Sequence, residues 1–204
     1  MNFLRINLRV SATALFLIGL FGCSIQETKP SILATEGVNL ELVKEVEAIS
    51  EYQVQKIAFT QMLSKDEKTY FFKKRIAGKI QELTLTPAQR DHLDLLLANL
   101  TPDLYAVGST ESQKTIQFLS QWTRKGKDLF EQGTLYDIVG SLENSKGGSA
   151  TNKTAPPSAA KCGCSTSSTY CQEGYDCTYI PSCNSPGCGT LFAYTCNGSC
   201  DRTL

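Results

Sequence analysis

The residues of this 204-residue chain best equipped to do chemistry are its nine cysteines, and they are very unevenly spaced. Cys23 stands alone, whereas Cys162, Cys164, Cys171, Cys177, Cys183, Cys188, Cys196 and Cys200 crowd the C-terminal end. Thiols at such density serve disulfides, metal ligation or redox exchange. A redox reading would use Cys162-x-Cys164, and a metal reading Cys196-x-x-x-Cys200. Zinc sites usually pair two Cys-x-x-Cys knuckles or add histidines, and this segment has neither. Eight cysteines pair completely, so the expectation is four disulfides with the pairing left open, and no metal or cofactor. The single histidine, His92, sits beside Asp91 and Asp94, which places it on a solvated helix face rather than in the role of a general base. With no nucleophile, base and orienting group at workable spacing, the chain is expected not to be an enzyme.

Disulfides need an oxidising compartment, and the N-terminus supplies a route to one. Residues 1–22 carry Arg5 and Arg9 ahead of an apolar run from Ala12 to Phe21, too short to span a bilayer but suited to the h-region of a signal peptide. The run ends in Leu20-Phe21-Gly22-Cys23, which resembles the lipobox of bacterial lipoproteins. The resemblance implies cleavage after Gly22 and lipid on Cys23, and this accounts for the odd cysteine. Ser24 stands where such proteins carry Asp as an inner-membrane retention signal, so the same resemblance favours the outer membrane or cell surface over the inner membrane. Loss of the leader removes two of the 20 Lys and Arg residues against 20 Asp and Glu, leaving a mature charge of about −2. Such a balance offers no basic face for nucleic acid.

Residues 23–38 read as a lipidated tether, and residues 39–142 as a helical domain in which apolar residues recur at spacings of three and four. Val54, Ile57, Ala58 and Met62 form one stripe; Phe72, Ile76, Ile80 and Leu83 a second; Leu93, Leu96, Leu97 and Leu100 a third. Ile116, Leu119, Trp122 and Leu129 suggest a further long helix, and Leu135, Ile138, Val139 and Leu142 a short closing one. Ser64 with Glu67, Thr86 with Pro87 and Gln89, and Thr110 with Gln113 are helix start signals. Lys73, Lys74, Arg75 and Lys79 lie off the Phe72 stripe and read as a solvated, basic face. Residues 143–160 lack large apolar side chains and read as a linker, including the Gly147-Gly148 pair.

Residues 161–204 hold few aliphatics, Ile180 and Leu191 among them, so this module is expected to rely on its disulfides rather than on burial. Thr178-Tyr179-Ile180 and Leu191-Phe192-Ala193-Tyr194 are its best strand candidates, and Tyr170, Tyr175, Tyr179, Phe192 and Tyr194 its aromatic cover. The fold class is therefore mainly α, a helical domain followed by a small disulfide-rich C-terminal module with little regular structure or short β-strands.

The opening Cys162-Gly163-Cys164-Ser165-Thr166, the Tyr170-Cys171 that follows, Gly187-Cys188-Gly189 and Cys196-Asn197-Gly198 together resemble the peptide bacteriocin fulvocin C and the fulvocin C-related exported proteins. The resemblance covers the last 44 residues only. Together with the lipobox, it implies a lipid-anchored protein that presents a bacteriocin-like module for antagonism of other bacteria. The alternative is a non-toxic surface lipoprotein whose module recognises an extracellular protein or glycan. Expected partners are a membrane, through the lipid, and a target-cell surface component or extracellular protein.

Overall fold

A computed structural model of the chain describes residues 33, 35–106, 110–143, 162–171 and 175–202. The expected leader, Cys23 and the expected linker beyond Glu143 lie outside these residues. The described part is mainly helical and ends in short strands held by four disulfides.

Six helices follow in order: α1 (Leu40–Ala48), α2 (Tyr52–Gln61), α3 (Lys65–Glu82), α4 (Pro87–Asn99), α5 (Thr110–Leu129) and α6 (Gln132–Val139). Their starts are chemically explicit. Ser64 Oγ accepts from the Glu67 N–H while the Glu67 carboxylate accepts from the Ser64 N–H at 2.7 Å, a reciprocal capping box. The other Glu67 oxygen accepts from the N–H of Asn39, the N-cap of α1, so one carboxylate ties two helix starts together. Burial alone would raise the Glu67 pKa, but these Ser64 and Asn39 donors outweigh it and hold the carboxyl below its ordinary value. Thr86 and Gln89 form a second box with Pro87 at the first helical position. The Gln89 amide also donates to the carbonyl of Leu129 at 2.7 Å, which closes the C-terminal end of α5.

The core contains Phe71, Phe72, Ile76, Leu93, Leu96, Leu119, Ile138 and Leu142, and the stripes read for α3 to α6 supply most of it. Of the stripe read for α2 only Ala58 is buried: Val54, Ile57 and Met62 are 44%, 54% and 57% exposed, and α2 buries Gln55 and Phe59 beside Ala58. The cause is a pair of partners distant in sequence. The Gln55 amide donates to the Val46 carbonyl at the end of α1, and Phe59 meets Phe71 and Phe72 edge to face.

Two further expectations are corrected. His92 is buried on α4, where its ring stacks on Trp122 of α5 at 4.4 Å, its Nε2–H donates to the Trp122 carbonyl, and the Trp122 indole donates to the His92 carbonyl. Burial lowers its pKa, the Trp122 carbonyl opposing and Lys125 adding to the effect, so the ring is neutral. Arg75 and Lys79 are also buried rather than solvated. Arg75 donates to the carbonyls of Asp137 and Leu142, and Lys79 pairs with the Asp137 carboxylate at 2.8 Å, so together they close the C-terminal end of α6. Lys74 remains outside, paired with Glu47.

Residues 162–202 contain two small antiparallel sheets. β1 (Tyr175–Tyr179) pairs with β4 (Gly198–Arg202), and β2 (Ser185–Cys188) with β3 (Tyr194–Cys196). The candidate strand at Leu191-Phe192-Ala193-Tyr194 is a 3₁₀ turn over Thr190–Phe192 that enters β3 only at Tyr194. Leu191 and Phe192 both lie at φ 57°, left-handed backbone that interrupts a strand and is strained for side chains of this size. Burial explains why the strain is tolerated: both residues join the helical core. The described helices and the module lie within one compact unit.

Candidate functional site

The four disulfides are Cys162–Cys183, Cys164–Cys177, Cys171–Cys200 and Cys188–Cys196. Each of the eight cysteines singled out from the sequence is thus paired, and Cys23 lies outside the described residues. The sulfurs of Cys164, Cys171 and Cys177 lie within 4.8 Å of one another, a spacing at which thiolates could share a metal, but all three are committed to disulfide bonds.

The bonds also unite the two ends of the sequence pattern. Cys164 exchanges backbone hydrogen bonds with Asn197 and Gly198, and the Asn197 side chain both accepts from the Thr166 N–H and donates to its hydroxyl. A side chain at Gly198 would place its Cβ 2.4 Å from the Thr178 carbonyl oxygen, so only glycine allows β4 this close to β1.

The module meets the helices through a polar seat and an apolar plug. The seat is a buried cluster of hydroxyls centred on Thr190. Its Oγ1 contacts Thr123 of α5 at 2.7 Å, Tyr170 at 2.8 Å and Ser168 at 2.9 Å, and its N–H donates to Ser168 Oγ. Burial pushes the Tyr170 phenol well up, against the Thr190 and Thr123 hydrogen bonds that lower it, so the cluster carries no charge. The Tyr105 hydroxyl donates to the Leu191 carbonyl, and Gln132 of α6 donates to that of Cys171. The plug is Phe192, stacked on Phe72 and tilted against Phe59 at 5.8 Å.

Beside the seat, α2 and β2 border an open groove of about 250 Å³, lined in part by Lys56, Ile57, Thr60, Gly163 and Pro186. Gly187, at φ 94°, sets the spacing: a Cβ there would lie 2.4 Å from the Thr60 methyl. At the inner wall of this groove the Lys56 ammonium approaches both sulfurs of Cys188–Cys196 at 3.6 Å. Burial lowers its pKa. Beyond it a small cavity of about 30 Å³ touches Cys164, Cys188 and Cys200, members of three different disulfides.

Lys56, Thr123 and Thr190 were invisible as site residues in the sequence, because each is ordinary by type and acquires its role from partners far along the chain. No helix among the described residues is long and apolar enough to cross a membrane. No protein-family model, curated protein or solved structure matches the chain.

Proposed function

We propose that the chain is an exported lipoprotein, held at the envelope surface through Cys23, and that its helices and disulfide module act as one rigid binding unit for an extracellular protein or glycan. The leader and the Gly22-Cys23 junction support the anchor. The observation that carries the binding reading over a released toxin is the insertion of Leu191 and Phe192 into the helical core. A peptide cut free at the linker would expose these residues and lose the Tyr105 and Thr123 hydrogen bonds.

Antagonism of other bacteria is the second reading, supported by the resemblance of the cysteine pattern to that of fulvocin C. In that case the whole exported chain is the active form. Applying residues 24–204, and separately the peptide 161–204, to a panel of bacteria tests both readings. Binding to cells or to extracellular material without growth inhibition supports the first. Inhibition by the short peptide alone overturns it.

A further inference from the structure

Three of the four disulfides include a half-buried cysteine, Cys162, Cys177 or Cys200, while both members of Cys188–Cys196 are buried. Exposure alone would therefore make Cys188–Cys196 the slowest bond to open. Two observations argue against that order.

The first is Lys56. Its ammonium stands 3.6 Å from both sulfurs, at the junction between the open groove and the sulfur-lined cavity, and forms no ion pair with a carboxylate among the described residues. The other titratable groups lining that cavity, Tyr52, Tyr136 and Tyr170, are phenols whose pKa values burial raises, so none supplies a counter-charge near neutral pH; the carboxylate of Glu143 acts on Tyr52 and Tyr136, whereas burial alone shifts Lys56. An uncompensated cation attracts an incoming thiolate and stabilises a departing one, and both effects speed exchange.

The second is what the bond encloses. Cys188–Cys196 closes the short loop that carries Thr190, the centre of the seat, and Phe192, the plug, with Leu191 beside it; Leu191 and Phe192 are two of the three described non-glycine residues at positive φ, Cys162 being the third. Once the closure is cut, the left-handed backbone at Leu191 and Phe192 loses the restraint that keeps it ordered.

We propose that Cys188–Cys196 is the exchangeable disulfide of this protein, opened by a small dithiol entering through the α2–β2 groove with Lys56 as the positioning cation, and that opening it releases the Phe192 plug from the helical core. A thiolate of the dithiol attacks Cys188 Sγ. The bond to Cys196 breaks and its electron pair leaves as the Cys196 thiolate, beside Lys56. The second thiol of the reagent then displaces Cys188, so the reagent departs as a cyclic disulfide and two electrons stay with the two cysteines. The inference is independent of lipidation at Cys23, and a failure of the anchor leaves it intact.

Residues 24–204 in the oxidised state, treated with dithiothreitol and alkylated at intervals, report the order of opening by peptide mass mapping. Cys188 and Cys196 should be labelled first. Lys56→Met should slow labelling of this pair alone by up to roughly tenfold, the worth of about one pKa unit in the leaving thiol, and Lys56→Arg should restore it. A pair that opens last in the wild type, or at a rate indifferent to residue 56, overturns the exchange site. The double variant C188S/C196S keeps the other three bonds and should bind a hydrophobic dye at the vacated Phe59–Phe72 face; dye binding no greater than that of the oxidised wild type overturns the release of the plug.

Discussion

Phe192 of the disulfide module lies on Phe72 of α3 with ring centroids 6.2 Å apart and planes 26° from parallel, so an aromatic ring from near the C-terminus completes a core built by the helices. The same ring contacts Phe59, which itself packs on Phe71 and Phe72. Stability of the two parts is therefore shared, although the composition of each suggests separate sources.

Removing the ring should cost what a fully packed phenylalanine is worth. Phe192→Ala is expected to destabilise the protein by about 3–5 kcal/mol, read as a lower midpoint of urea unfolding followed by helical circular dichroism. A change confined to the module, with the helical midpoint unmoved, would contradict the shared core.

Complete reduction should act on the helices as well. Although α1 to α6 contain no cysteine, loss of the bonds that order the module removes Leu191, Phe192 and Thr190 from their seats, and the thermal midpoint of the helical signal should fall. An unchanged helical transition in reductant would restore two independently stable domains.

Stability should decline with acid in two steps. His92 has a lowered folded pKa, so its contribution is complete above the ordinary value of 6.5 and fades as pH drops below it. Glu67 also has a lowered folded pKa, and its contribution, complete above 4.5, is lost as pH falls further through the folded value. In Glu67→Gln the lower step should disappear and neutral-pH stability should drop by about 1 kcal/mol, the usual worth of a cap. Denaturant midpoints between pH 3 and pH 8 check both, and an unchanged lower step would remove Glu67 from the account.

Cys23→Ser should leave the protein unlipidated and free of the membrane fraction, because no other segment read from the sequence holds it there. The oxidised chain should also be eight hydrogens lighter than its fully reduced form, two for each of the four disulfides. Persistent, salt-resistant membrane association of the variant would refute the anchor, and free thiols at any of the eight positions would refute the pairing.

Local signals were the legible part of this chain. Ser64 with Glu67 and Thr86 with Gln89 announce helix starts because both partners lie within one turn, and the Leu93 to Leu100 stripe marks its own buried face. Signals with distant partners misled. Val54, Ile57 and Met62 have helical spacing, yet periodicity cannot say which face of a short helix is covered, and Phe59 decided it through α3. His92 beside two aspartates looked solvated because Trp122, its partner, lies on another helix. Arg75 and Lys79 looked like surface charges because Asp137 is far along the sequence. Among the cysteines, parity gave the number of bonds but not their pattern, since pairing depends on how β1 to β4 and the Asn197 contacts fold the segment. Leu191-Phe192 had the composition of a strand and the role of a plug, a difference held in two backbone angles.

The insertion of Phe192 also sets an order of events in the life of the chain. Synthesis delivers the helices first, and their aromatic face at Phe59, Phe71 and Phe72 must wait, open, until the loop between Cys188 and Cys196 emerges and closes. A truncated product lacking that loop carries an unfinished, apolar surface. Only a chain extended through Cys196 can bury that face.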